Sequence, residues 1–542
     1  MVPQGCSPTE LAKIAPPSPT IFGAFGASTA VSGDTLLVGD PSDSELGLGV
    51  GAIHVFRMSA ERPGEWRWTG KLHASDATHG MKFGWSLAVD GNILVAGSEL
   101  DSSLGVEEAG AAYVFERSDE DSDDWIQTAK IFASDPFRAA LFGEAVEVSG
   151  STILVSAPLA KPRNKRTGAV YVFEKKNPDA VGGWQETQRL SPRLDKELLE
   201  FGRGIALSGT NIAVGAPNDN GSGIQGGAVY MYRRIQEVWQ LDAKLVAPDA
   251  AVNDRLGSVA LCGNQVIAGA PGDDDQGTAS GSAYVFTKGT EGWQFTQKLL
   301  PVPGEAGWAF GSRLAADGDL LVVSAPQSDA LAEDAGVVHA FHRLSDGSWL
   351  QSGLLMPSEL QPQDFMYTPT VSDGFAVLGI ITFPVGGTVH VFDTRLERSF
   401  TTYCVASDTG DPDCVPVLEA VGNATASGTS EFRLRAGPVP SGQLGFFAYT
   451  HAPSGLPVGN SAWTCLPGPA LGRSQLLLSG GTFGACDGHL ELDWNDLLAA
   501  NAGQDPALAE PGTHVYGQFV HFQFGSAGRV QQSEAVAFVT CP

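Results

Sequence analysis

The chain has 542 residues, 43% of them hydrophobic, with 67 glycines and 33 prolines; it is too long for one ordinary core and too apolar for disorder, so at least two turn-rich folding units are expected. Its net charge of −28, from 61 acidic and 33 basic residues, would repel a phosphate backbone or an anionic bilayer, which excludes nucleic acid and anionic membrane surfaces as partners. No run of 18 apolar residues occurs, so no membrane insertion by a helix is expected, and residues 1–23 show neither the basic n-region nor the apolar h-region of an export leader.

One pattern recurs seven times from residue 25 onward. Each copy opens on a Phe-Gly pair or its variant: Phe25-Gly26, Phe83-Gly84, Phe142-Gly143, Phe201-Gly202, Leu256-Gly257, Phe310-Gly311 and Phe365-Met366, at spacings of 58, 59, 59, 55, 54 and 55 residues. A first short apolar run follows, then a glycine turn (Ser32-Gly33, Asp90-Gly91, Ser208-Gly209, Cys262-Gly263, Asp317-Gly318) that reads as a two-residue hairpin. The second run is rich in Val and Leu and ends in a small-residue-proline cluster, as in Gly215-Ala216-Pro217 and Gly269-Ala270-Pro271. After a polar loop comes a third run opened by glycine: residues 51–56, 110–115, 168–173, 281–286 and 387–392. The fourth pairs a tryptophan with an aliphatic residue six positions on, from Trp66 and Leu72 to Trp349 and Leu355, and the even spacing predicts that both share one face of a strand.

Four strands per copy and seven copies predict a seven-bladed β-propeller over residues 1–398. The seventh copy has no fourth run after Phe392. Ile14 precedes Phe25 by 11 residues, the interval from Leu72 to Phe83, so residues 11–14 are predicted to close the last blade beside residues 387–392.

Phe-Gly followed by Gly-Ala-Pro on one register resembles the FG-GAP repeat of the integrin α-subunit propeller and its bacterial relatives, over roughly residues 10–395. The resemblance implies adhesion or ligand recognition outside the cell. It also implies calcium loops between the first and second strands, and here this chain departs: two-residue turns cannot supply the six to eight oxygens that calcium takes. The better cation candidates lie after the proline cluster, at Asp273 and Asp275 and at Asn218 and Asn220, where oxygen ligands alternate ahead of a glycine. No cofactor is required by this reading, and calcium is the one it admits.

Residues 399–542 contain no lysine and five of the seven cysteines. Alternating apolar runs at 431–435, 443–449, 475–478, 489–494, 514–524 and 535–540 predict a small β-sandwich. Sequence proximity favours disulfides Cys404–Cys414 and Cys465–Cys486, with Cys6–Cys541 joining the termini, and such bridges would indicate an oxidising exterior. Cys262, beside a strand, reads as a buried free thiol.

No Gly-x-Ser-x-Gly elbow, phosphate loop or His-Glu-x-x-His is present. His54, His339 and His390 stand where sister repeats have Tyr113, Tyr171, Tyr230 and Tyr284, so they read as half-buried packing rings with a polar tip. The expectation is an exported, non-enzymatic recognition or adhesion protein, extracellular or at the cell surface. Its partner would be a protein or surface polysaccharide bound through propeller loops. The alternatives are a lectin or carbohydrate-active enzyme using loop carboxylates, and a structural cell-surface component.

Overall fold

The computed structural model describes residues 9–394 apart from short loop stretches, the longest being 193–197 and 330–334, and beyond residue 400 the backbone of strands only. The chain divides into two compact units. One comprises Thr9–Arg343 and Leu354–Thr394; the other comprises Arg395–Pro542 with Met1–Pro8 and Leu344–Gly353.

The first unit is a ring of seven antiparallel sheets. Blade one is Ser28–Ser32, Thr35–Asp40, Ala52–Met58 and Trp66–Leu72, paired in that order, and blades two to six repeat it. In blade seven Thr370–Ser372, Phe375–Thr382 and Gly386–Asp393 are joined by the N-terminal strand Thr9–Ile14. That strand lies antiparallel to the third, with Lys13 opposite His390 and Ile14 opposite Val389. Each innermost strand neighbours the next around the whole circle, and Thr370–Ser372 touches both Leu314–Asp317 and Ser28–Ser32. The ring is therefore closed, and each blade interface buries an apolar layer.

Local chemistry explains the repeat. Ser32 pairs with Thr35 and Asp90 with Ile93, so the turn residues proper are Gly33-Asp34 and Gly91-Asn92, one position later than the Ser-Gly and Asp-Gly pairs suggest. The glycine of each pair sits at positive φ, +58° and +54°, as the favoured hairpin turns need. The glycine that opens the small-residue-proline cluster has another task. A Cβ at Gly215 would lie 1.8 Å from the carbonyl oxygen of Gly257, and one at Gly39 would lie 2.2 Å from that of Gly84. Both glycines let the backbones of adjacent blades touch. The phenylalanines fill the space beside them: Phe83 meets the edge of Tyr113 at 5.3 Å, and Phe142 meets Tyr171 at 5.4 Å.

The tryptophan and its aliphatic partner do not share a face of the outer strand, contrary to their even spacing. Trp125 packs with the blade-one residues Leu37, Ile53 and Val55, whereas Ile131 packs with Phe142, Ile153 and Val155 of blade three. The pair thus lies on opposite faces of blade two. The cause is a β-bulge between the third and fourth strands, at Val114/Phe115, repeated at Val55/Phe56, Val172/Phe173, Met231/Tyr232 and Val285/Phe286. An extra residue breaks the period of two. In blades one, two, three and five that residue is Thr69, Thr128, Thr187 or Thr296, whose hydroxyl donates back to a third-strand carbonyl at 3.2–3.5 Å.

In the second unit two antiparallel sheets are described. One joins Thr401–Thr402, Val530–Val539, His514–Phe522, Leu444–Ala452 and Gly472–Arg473, with Leu477–Leu478 also on Leu444–Ala452; the other joins Val417–Gly422, Phe432–Val439 and Gly488–Asp493. The strand Val417–Gly422 was not anticipated from sequence. Cys6, Cys404, Cys414, Cys465, Cys486 and Cys541 lie outside the described residues. Cys262 is a buried free thiol donating to the Gly318 carbonyl at 2.8 Å.

Candidate ligand-binding face

Antiparallel order sends two kinds of loop to one face of the ring: those joining strand two to strand three, and those joining strand four to the next blade. The short turns and the strand three-to-four links emerge on the other face. Exposed large apolar residues follow this division. Leu46, Leu48, Leu104 and Ile224 sit in two-to-three loops, and Leu198, Val252, Val302 and Met356 in four-to-one loops; Val181 is the one such residue on the opposite face among the described residues. The remainder, such as Trp68 and Phe295, lie on outer strands.

These loops are held rather than loose. Gly80, Lys82 and Phe83 donate backbone N–H groups to the carbonyls of Leu48, Gly49 and Val50, and Asn253, Arg255 and Leu256 do the same to Ile224, Gln225 and Gly226. Non-glycine residues at positive φ, among them Lys82, Glu108, Leu141, Gln225 and Arg255, all lie in these loops except Gln236 and Glu237. Such strain persists where the surroundings over-determine it, and it gathers at functional surfaces.

Beneath the loops a second motif recurs: a third-strand tyrosine, loop aspartates and a fourth-strand lysine. In blade five the Tyr284 hydroxyl lies 2.8 Å from Asp249 and 2.7 Å from Asp273, while Lys298 Nζ reaches Asp249, Asp273 and Asp275 at 2.8, 2.9 and 2.7 Å. Burial alone would lower the Lys298 ammonium, but the hydrogen bonds it donates to Asp249, Asp275 and Asp273 outweigh it and hold the group charged. Asp273 and Asp275 are thus brought together around a covalently attached cation. Asn218 and Asn220 are not brought to a carboxylate cluster by their side chains: the Asn220 side chain accepts from the Gln225 N–H at 2.6 Å, and the residue between them, Asp219, receives Tyr230 and Lys244 at 2.6 and 2.8 Å. Lys130 with Asp76 and Asp101, and Arg189 with Asp135, repeat the scheme. The signal for the missing partner was a basic residue before the aliphatic one closing strand four: Lys71, Lys130, Arg189, Lys244 and Lys298.

His54, His339 and His390 are 2%, 0% and 0% exposed, more enclosed than the half-buried rings expected, because the Phe-Gly phenylalanine covers the ring: Phe25 stands 5.1 Å from His54 and Phe310 5.2 Å from His339. His390 pairs with Glu10 of the closing strand at 2.7 Å.

The innermost strands enclose an axial channel of about 560 Å³. At its loop-face mouth stand Trp85, Glu144, Arg203 and Arg313, with Arg203 bonded to Glu144 at 2.7 Å. Burial, then the hydrogen bond and charge of Glu144, push the Glu99 carboxyl well above the usual carboxylate range. Deeper in, Glu147 opens onto the channel but is ringed by protein, and that enclosure raises its carboxyl to about 8.

The FG-GAP repeat family matches residues 66–115, 125–173, 184–232, 239–286 and 293–341. Each match runs from the tryptophan opening one blade's outer strand to the third strand of the next, so the sequence repeat straddles two blades. No curated protein is significantly similar. Among solved structures, the β-propeller domain of the Trilobed protease from Pyrococcus furiosus, described as having an open velcro topology, is similar at 8% identity and a TM-score of 0.40, over 72% of this chain and all of that one. With repeats on one register from residue 66 to 341 and seven closed blades, the chain is an FG-GAP repeat protein with a β-propeller fold.

Proposed function

We propose that this protein is an exported, non-enzymatic recognition module that binds a protein or a surface polysaccharide on the face formed by the two-to-three and four-to-one loops. The observation behind this reading is the one-sided placement of exposed apolar side chains on loops tied to each other by backbone hydrogen bonds. A pre-ordered surface loses little entropy on binding, which favours a platform. On this reading recognition does not depend on calcium, since Lys298 already brings a positive charge to Asp273 and Asp275.

A lectin-type variant draws support from Trp85 beside the Glu144–Arg203 pair at the channel mouth, an aromatic ring next to polar groups suited to a sugar. Hydrolysis is disfavoured there, because hydrogen-bonded carboxyls stand closer than the roughly 5 Å or more that a glycosidase pair needs. Export would be accompanied by the bridges Cys404–Cys414 and Cys465–Cys486 in a sandwich-like tail, and non-reducing peptide mapping tests them.

The functional test is binding of the full chain to glycan and surface-protein arrays. A Leu48→Asp, Ile224→Asp double variant should lose at least about tenfold in affinity for any captured ligand (about 1.4 kcal/mol), while Val181→Asp on the opposite face should not. Equal loss from both, or from neither, would remove this face from consideration.

A further inference from the structure

We propose that Asp40, Asp43 and His54 of blade one form a binding site for a divalent transition-metal ion of the zinc class. One ligand atom from each of the three lies within 4.8 Å of the other two, and all three residues are buried.

Two departures from the repeat meet at this point. Asp40 pairs with Ala52; the residues at the same register in blades two to six are Ser98, Ala157, Ala216, Ala270 and Ala325, none of them acidic. His54 holds the place of Tyr113, Tyr171, Tyr230 and Tyr284. In blades two and five the tyrosine hydroxyl fills the gap between the ring and two aspartates, at 2.7–3.0 Å. An imidazole on the same backbone has no hydroxyl to reach that far. Blade one therefore gains a carboxylate, Asp40, and loses the hydroxyl that in its sisters reaches the aspartate at the place of Asp43.

The histidine is the observation that points to a ligand. It is 2% exposed, and neither ring nitrogen has a hydrogen-bond partner, a state rare for buried polar groups. On the facing side, the hydrogen bonds made to the Asp40 carboxylate, from the N–H groups of Ala24 and Ser42, both go to Oδ1. Asp43 receives the Glu45 N–H on Oδ1 and Lys71 on Oδ2 at 2.9 Å.

The donor set selects the ion. Calcium takes oxygen ligands, whereas imidazole with carboxylates suits zinc and its neighbours, with bonds of about 2.0–2.2 Å. Donors around such an ion stand roughly 3–4 Å apart, a small contraction from the present spacing. Imidazole coordinates in its neutral form, through a ring nitrogen that makes no other hydrogen bond, and neither nitrogen of His54 makes one here. As the ion enters, Lys71 gives up Asp43 and keeps Glu45, its other partner at 2.8 Å. Three protein ligands leave one position of a tetrahedron open.

The test uses the full chain, stripped by chelator and titrated with ZnCl2 by calorimetry, with Co²⁺ absorption reporting the ligand field. Wild type should bind, and excess Zn²⁺ should raise its melting temperature. His54→Tyr and Asp40→Ala each restore the sister-blade residue, so both should fold; each should weaken this binding by more than about 100-fold, beyond what loss of a supporting contact does. His339→Tyr should leave it unchanged. Zn²⁺ binding that survives in both folded blade-one variants, no saturable binding by wild type, or a crystal structure grown with Zn²⁺ that shows only a water bridging the three side chains would overturn the assignment.

Discussion

Replacing Lys130 by methionine tests whether the tyrosine–aspartate–lysine motif holds adjacent blades together. Lys130 Nζ stands 2.9 Å from Asp101, whose side chain is 1% exposed, and 2.6 Å from Asp76 in the loop leaving blade one. Methionine keeps most of the apolar stem and removes the charge, leaving Asp101 buried with only Tyr113 and Ser103 as donors. Breaking a buried pair on one side costs about 3–5 kcal/mol, and the surviving donors place this case near the lower end. Unfolding entropy for a unit of this size is roughly 0.8 kcal/mol/K, so about 3 kcal/mol should lower the melting temperature by about 4 °C.

The pH dependence supplies the sharper check. Burial pushes the Asp101 carboxyl up, but hydrogen bonds from Ser103 and Lys130 more than offset it and hold it below its usual 3.8. Its contribution is therefore complete above about pH 4 and is lost as pH falls through the lower folded value. The gap between wild type and Lys130→Met should be full near neutrality and shrink in acid, where a protonated Asp101 no longer needs the ammonium. Urea unfolding at both pH values measures it. A difference under about 1 kcal/mol at neutral pH would show that the pair is a solvated surface bridge, and one that persists unchanged in acid would show that Lys130 acts through packing and not through its charge.

Three further outcomes are expected. Gly215→Ala, whose Cβ would meet the Gly257 carbonyl, should destabilise by about 3 kcal/mol or more, whereas Gly209→Ala, at φ +55° with open space around it, should cost only about 1–2 kcal/mol; denaturant titration ranks them, and the reverse order would refute the blade-contact account. Glu147, raised to about 8 in the fold, should make stability decline between about pH 4.5 and 8 as the unfolded chain ionises first, so Glu147→Gln should gain on wild type as pH rises across that window, and parallel melting curves would contradict this. Deleting residues 1–16 should lower the melting temperature by several degrees, because Val389, Val391 and Phe392 lose a covering strand and a sheet edge opens; an unchanged transition would mean that the strand adds nothing to closure.

Much of the propeller is written in local residues. Phe-Gly, the hairpin glycines and Gly-Ala-Pro recur because each answers a steric need inside one repeat, so their spacing alone reveals blade number. The tryptophan rule failed for a reason equally local but invisible in a period: a bulge such as that at Val114/Phe115 shifts every later side chain to the other face. At the aspartate-rich loop 273–275 the sequence shows the carboxylates and not what faces them: the fold adds Asp249 to Asp273 and Asp275, and brings Lys298 of the fourth strand against all three.

The repeat, the blade count and the all-β class are legible in the chain alone, because they rest on alternation, turn chemistry and close backbone contacts between successive repeats. The tertiary structure alone decided which loops share a face, which of their apolar residues stay exposed, and that Asp40 and His54 meet. Those facts depend on strand register and ring closure, which bring distant residues together at distances that no spacing along the chain encodes.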